Sequence, residues 1–104
     1  MIEIRFAPDN MELKISGHAG QNEKGKDIVC SAVSILFYTL AQAVSDSAEM
    51  LQEEPVISME DGNGYLACKP KEEYMATMQR TYWTILTGFE LLTEAYKDYV
   101  SFEA

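Results

Sequence analysis

The feature that most constrains the fold is the stretch from Ile28 to Leu51, which contains neither glycine nor proline. Apolar residues recur along it every three or four positions, the spacing that places them on one face of a helix. A second stretch, from Glu72 to Asp98, has the same periodicity and is interrupted only by Gly88. Two long amphipathic helices must bury their apolar faces against another layer. The predicted inner faces are Val29, Val33, Leu36, Phe37, Leu40 and Val44 on the first helix, and Met75, Met78, Tyr82, Ile85, Leu86, Phe89, Leu92 and Tyr96 on the second.

Alternating apolar and polar residues near the N-terminus, and short apolar runs around an Asp-Gly and Asn-Gly turn further along, predict strands that supply this other layer. Residues 2–6 and 11–15 form a first hairpin across Pro8-Asp9-Asn10, and residues 56–59 and 65–68 form a second across Asp61-Gly62-Asn63-Gly64. Residues 99–103 alternate as well, and either add an edge strand or fray. The order ββαββα predicts an α+β two-layer fold. Two long helices pack on one face of a four- or five-stranded, mostly antiparallel or mixed sheet, in a single domain over residues 1–104.

The charge balance restricts the partners. Seventeen acids against eight bases give a formal net charge of −9, which disfavours nucleic acids and anionic membranes and attracts a basic polypeptide. The alternative is that an acidic surface only maintains solubility. Residues 1–6 have a strand pattern rather than that of a signal peptide, and we expect no apolar run long enough to cross a bilayer. We therefore expect a cytoplasmic protein whose two cysteines stay reduced.

The segment from Gly17 to Ser34 holds the residues best suited to chemistry. It contains the only histidine, His18, in a glycine-containing loop, and Cys30 in the first turn of the first predicted helix. Asp27 precedes that helix and is predicted to be its N-cap, which puts Cys30 at about the third helical position. The helix dipole there lowers the pKa of a thiol, whereas a nearby Asp27 charge raises it, so the sign of the net shift is open.

A cysteine with a histidine nearby is chemically sufficient for acyl transfer. His18 can take and return a proton near neutral pH, and the N–H groups of the first helical turn, including that of Cys30, can bind an oxyanion. The competing interpretation is that Cys30 is a packing residue, since free cysteines are among the most buried residues. Cys68, on the same strand face as Leu66, is predicted to be such a buried, inert thiol.

The string Gly17-His18-Ala19, a polar loop, Asp27-Ile28-Val29-Cys30, a small residue and Ala32-Val33-Ser34 resembles the ribosomal-processing cysteine proteases of bacteria. The resemblance implies Cys30 as nucleophile and His18 as general base and then acid. It also implies supporting positions at Gly17, Ala19, Gly25, Asp27 and Ser34, with Asp27 either capping the helix or orienting the site. The small residue, commonly alanine in the family, is Ser31 here. The implied substrate is the basic N-terminal extension of large-subunit ribosomal protein twenty-seven, removed during ribosome maturation.

Interpretations from other functional classes stay open at this point. The chain could be a non-catalytic acidic module that binds a basic ribosomal protein, or a Cys–His hydrolase or redox sensor acting on another substrate. One histidine and two separated cysteines lack any recognised zinc spacing, so we expect neither a metal nor another cofactor. We also expect a homodimer, because the second helix carries more large apolar residues than one sheet face needs: Tyr82, Trp83, Tyr96, Tyr99 and the methionines.

Overall fold

The computed structural model describes residues 1–23 and 26–104. The chain runs through five strands and two long helices in the predicted order, with the last strand formed. They are β1 (Ile2–Ala7), β2 (Glu12–Ser16), α1 (Ile28–Asp46), β3 (Val56–Glu60), β4 (Asn63–Ala67), α2 (Met75–Ala95) and β5 (Val100–Glu103).

The strands form one mixed sheet in the order β3-β4-β2-β1-β5. All neighbouring pairs are antiparallel except β1 and β5, which are parallel. One face of the sheet is apolar and lies under both helices, with Ile4, Leu13 and Leu66 at its centre and 1% or less of each residue exposed. The predicted α+β two-layer fold is therefore confirmed, and the final alternating segment is a paired strand.

Helix α1 buries the predicted stripe against the sheet, except that Leu36 is only half-buried. Leu36 instead contacts α2, where a Cβ added to Gly88 would lie 2.9 Å from its Cδ2. The glycine thus permits the close approach of the two helices. Helix α1 ends at Asp46, earlier than predicted, and a separate short turn at residues 48–50 leads to Leu51.

The expectation that no run is long and apolar enough to cross a bilayer is wrong for α1. Its 19 residues carry one charged side chain, Asp46, and meet the length and composition of a membrane span. The physical reason is that core burial demands the same apolar residues: Val29, Phe37 and Val44 of this helix are each fully buried against the sheet. A core helix and a membrane span are therefore hard to separate by composition.

Helix α2 packs more of its aromatic surface inward than the dimer argument assumed. It begins at Met75, after a short turn at residues 72–74, and both Tyr82 and Met78 are fully buried. The Tyr82 hydroxyl lies 3.4 Å from the Sγ of Cys68, which is also buried, as predicted. Trp83 is 40% exposed, so it is the large aromatic of this helix that faces outward.

The register of the sheet brings two distant loops together. Strands β2 and β4 are antiparallel with Ser16 opposite Asn63, so the chain leaving β2 passes beside the turn that joins β3 to β4. That turn is shorter than predicted: Asp61 and Gly62 form it, while Asn63 already pairs with Glu60. At the outer side of this hairpin β3 is an edge strand, and Val56 and Ile57 on it are exposed.

Candidate active site

Cys30 occupies the third position of α1, where the sequence predicted it, and is half-buried. Asp27 caps the helix: one carboxylate oxygen accepts the N–H of Cys30 at 3.0 Å, and the other accepts the N–H of Gln21 at 3.2 Å. Asp27 is buried, with 7% of the residue exposed. The carboxylate thus joins the loop before the helix to its first turn, and fixes the cysteine at the helix N-terminus.

The structure gives the direction of the Cys30 pKa shift, which the sequence left open. Burial raises the pKa of Cys30, and the hydrogen bond to Asp27 and the charges of Asp27 and Asp61 raise it further. The backbone of Ala19, which hydrogen-bonds the sulfur, opposes this rise without cancelling it. Burial also raises the pKa of the Asp27 carboxyl, but its hydrogen bonds outweigh burial and leave that pKa below its ordinary value. The resting site therefore pairs a protonated thiol with an ionised carboxylate.

His18 lies in the loop that follows β2, and the glycine before it makes this placement possible. Gly17 has φ +95°, and a Cβ there would overlap the carbonyl oxygen of Met1. Its N–H donates to the carbonyl of Gly62 at 2.9 Å, which ties the loop to the β3–β4 turn. Ala19 is buried beneath, whereas the His18 side chain is 62% exposed. The backbone is therefore anchored while the imidazole faces solvent.

Two adjoining clefts, of about 270 and 440 Å³, are both lined by His18, Cys30, Ser34 and Asp61. The fold thus brings together the two predicted catalytic residues, and adds Asp61, which the sequence analysis missed. Within the part of the chain that the structure describes, no hydrogen bond joins His18 to Cys30. The available signal for Asp61 was its place in a tight Asp-Gly turn, but only the pairing of β2 with β4 shows that the turn meets His18.

The expectation that the Cys30 N–H is available for an oxyanion is wrong for this state of the site. That group donates to the Asp27 carboxylate, and the Ser31 N–H donates to the Asp27 carbonyl at 3.1 Å. The Ser31 hydroxyl bonds the same carbonyl, also at 3.1 Å. The physical reason is that an N-cap carboxylate occupies the very donors that a helix N-terminus would offer to another anion.

The other predicted positions are placed as follows. Ser34 lies one helical turn after Cys30 on the cleft wall, and Gly25 lies outside the described residues. Cys68 is a second free thiol in the core beside Tyr82, and burial raises its pKa. Among residues 1–23 and 26–104, no group of three or more His, Cys, Asp or Glu side chains could hold a metal ion.

Comparisons with known proteins identify the family and support the fold. A search of curated protein sequences finds no match. The chain is similar to the Staphylococcus aureus ribosomal processing protease Prp with a covalently linked product peptide. Their identity is 21% and the TM-score 0.71, over 98% of this chain and 95% of that one. For the same Staphylococcus aureus protease with a substrate peptide, the values are 20% and 0.66 over the same shares.

A third solved structure, the Streptococcus mutans protein SMU.848, is 24% identical with a TM-score of 0.68, over 98% of this chain and 90% of that one. At such identities these likenesses establish the fold. The family is established by a separate match: the model described as cysteine protease Prp aligns with residues 1–101. We conclude that the chain belongs to the Prp family of ribosomal processing cysteine proteases.

Proposed function

We propose that Cys30 is the nucleophile and His18 the general base of a cysteine endopeptidase. Its substrate in this proposal is the N-terminal extension of large-subunit ribosomal protein twenty-seven. The observation that carries the proposal is the shared cleft: a thiol in the first turn of α1 and the only histidine of the chain line the same open space. Of the two free thiols, Cys30 alone lines a cleft with this histidine.

The reaction is acyl transfer. His18 takes the proton of the Cys30 thiol, and the thiolate attacks the scissile carbonyl carbon to form a tetrahedral oxyanion. The C–N bond then breaks, and His18 returns the proton to the leaving amine. A water molecule, deprotonated by His18, attacks the resulting thioester, and the C–S bond breaks to release the carboxylic acid and restore the thiol. The step consumes one water and needs no cofactor.

The resting hydrogen bonds determine what the reaction must overcome. Because Asp27 and burial keep the thiol protonated, the nucleophile forms only when His18 receives the proton, which couples attack to the base. In this proposal the oxyanion is bound by a donor other than the Cys30 N–H, which is already engaged by Asp27. The backbone of Ala19, which lowers the pKa of the Cys30 thiol, is the candidate for this donor.

A basic substrate suits the charge around the cleft. Glu60 and Asp61 line it on the side of the β3–β4 hairpin, and the whole chain has a formal net charge of −9. Long-range attraction of this kind raises the rate of encounter with a positively charged segment. In the related Staphylococcus aureus enzyme, structures hold a substrate peptide and a covalently linked product peptide. A peptide bound covalently fits the thioester route proposed here.

The test is cleavage of full-length ribosomal protein twenty-seven from the same organism, followed by intact mass. We expect the wild-type protein to shorten it by a single N-terminal piece. Cys30→Ala and Cys30→Ser should abolish cleavage, because an alcohol is far less acidic than a thiol. His18→Ala should reduce cleavage about 100-fold or more, the scale on which general bases contribute.

Cys68→Ala is the matched control, since it removes the other free thiol from a site in the core. It should retain full activity at a temperature where it is folded. Cleavage by Cys30→Ala, or failure of the wild-type protein to shorten this substrate, would overturn the assignment. If the wild-type protein does not cleave, the alternative is a non-catalytic module whose acidic surface binds a basic ribosomal protein.

A further inference from the structure

We infer that Asp61, at the β3–β4 turn, is a positioning residue for His18 and forms a third part of the catalytic site. The inference rests on the proposed function, because it concerns how the general base of that reaction is held. Three independent contacts support it: a backbone hydrogen bond, a close packing contact and a carboxylate facing the imidazole. All three come from the same two-residue turn.

The first two contacts fix where the imidazole ring can lie. The Gly17 N–H donates to the Gly62 carbonyl at 2.9 Å, so the residue before His18 is fastened to the turn. Gly62 has φ +79°, and a Cβ there would lie 2.9 Å from His18 Nε2. A glycine at this position therefore serves two needs, a left-handed backbone and room for the ring. The turn forms a backing surface for the imidazole.

The third contact supplies a charge. Asp61 Oδ1 lies 3.9 Å from His18 Nε2, a separation in the range of an ion pair but longer than a hydrogen bond. Since Nε2 faces Asp61 and the turn, we assign acceptance of the thiol proton to Nδ1. When the ring is protonated, the imidazolium presents its Nε2–H to the Asp61 carboxylate, and the negative charge of the carboxylate stabilises the new positive charge.

Exposure explains why this pair matters for turnover rather than for stability. The His18 and Asp61 side chains are 62% and 74% exposed in the unbound protein, and such pairs contribute little to folding. A bound peptide would cover both and exclude water, and the same charges then interact more strongly. The benefit is thus realised in the complex.

The Asp61 charge acts in the opposite sense on Cys30, and this makes the inference testable. It raises the pKa of the thiol, although less than burial and Asp27 do. Replacing Asp61 with asparagine therefore leaves Cys30 at least as easy to deprotonate in the free protein, while His18 loses its partner. If Asp61 merely maintained the shape of the site, its replacement would lower both the reactivity of Cys30 and the rate of cleavage.

The experiment compares Asp61→Asn, Asp61→Ala and Asp61→Glu with the wild-type protein on the ribosomal substrate. We expect kcat to fall about 10- to 100-fold for the asparagine and alanine variants with KM changed less than threefold, and partial recovery with glutamate. Alkylation of Cys30 by iodoacetamide at neutral pH should be no slower than in the wild-type protein. The melting temperature should stay within about 2 °C, as for an exposed ion pair.

Asp9→Asn is the matched control. It removes the same charge from an exposed turn at the opposite end of the sheet, and should leave kcat unchanged. Wild-type kcat in Asp61→Asn would overturn the inference, as would equal losses in Asp9→Asn or alkylation that slows in step with kcat. These outcomes leave the proposed function intact, because that fails only if Cys30→Ala cleaves or the wild-type protein does not.

Discussion

Replacing Asp27 separates its two roles, capping α1 and keeping the Cys30 thiol protonated. In Asp27→Ala both N–H groups whose hydrogen bonds the carboxylate accepts, at 3.0 and 3.2 Å, lose their acceptor in a partly buried place. Loss of an N-cap costs about 1 kcal/mol and a second unsatisfied donor about another 1, so the free energy of unfolding should fall by about 2 kcal/mol. For a domain of this size, that lowers the melting temperature by about 10 °C.

Asp27→Asn keeps one oxygen for the Cys30 N–H, so it should lose about half as much, near 1 kcal/mol. Both variants lack the charge that raises the Cys30 pKa, and alkylation of Cys30 at a fixed neutral pH should become faster in both. Urea unfolding and mass-mapped alkylation measure the two effects separately. Asp46→Ala, at the C-terminal end of the same helix, is the control and should change stability by less than about 0.5 kcal/mol.

The pH dependence provides a further check on the same carboxylate. Its pKa in the folded protein lies below the ordinary value of 3.8, so its stabilisation is complete above that value. The contribution is lost as the pH falls through the lower folded-state pKa, and Asp27→Asn should lack this part of the acid sensitivity. The expected loss in Asp27→Ala is about 2 kcal/mol, so a free energy of unfolding within about 0.5 kcal/mol of the wild-type value would refute the reasoning. Slower alkylation of Cys30 in Asp27→Asn would refute it as well.

Three further results are expected. Iodoacetamide should modify half-buried Cys30 well before buried Cys68 in the native protein, and equal rates by mass mapping would contradict an accessible nucleophile. Light scattering at tens of micromolar should return the mass of a dimer, and a monomer mass would contradict this prediction. Because Tyr82 is in the core, the prediction now depends on Trp83 and other exposed apolar residues. Binding of the ribosomal substrate to Cys30→Ala should weaken as salt rises, since the net charge is −9, and salt-independent affinity would exclude the proposed electrostatic attraction.

Much of the fold was predictable because its signals are local. Alternation identified β1 and β2, the Asp-Gly turn identified the β3–β4 hairpin, and Asp27 marked the start of α1 at the correct residue. Helical spacing identified most of the two buried faces, but Leu36 is only half-buried, and predicted Met75 is exposed because it is the first residue of α2. The limits of local reasoning show in α2. Periodicity places Tyr82 on the inner stripe, but how wide a stripe the sheet covers depends on how closely Gly88 lets α2 approach Leu36.

The candidate site was predictable only in its parts. The motif placed Cys30 at a helix N-terminus and His18 in a loop, both of which the local sequence encodes. The pKa of Cys30 depends on burial, and the contact of His18 with Asp61 depends on the register of β2 and β4. Both are consequences of tertiary structure, which no spacing in the sequence expresses.

The exposed edge strand β3 gives the acidic residues beside it a second role, in solubility. An unpaired edge with Val56 and Ile57 exposed is a template for association with another chain through backbone hydrogen bonds. Pro55 stands immediately before the strand, and acidic pairs flank it at residues 53–54 and 60–61. These residues act as gatekeepers against aggregation, because two copies aligned along β3 would bring like charges together. Variants made less acidic to weaken substrate attraction should therefore spare residues 53–54, and the Asp61 variants need a measurement of solubility beside their kcat, so that loss of activity is not confused with aggregation.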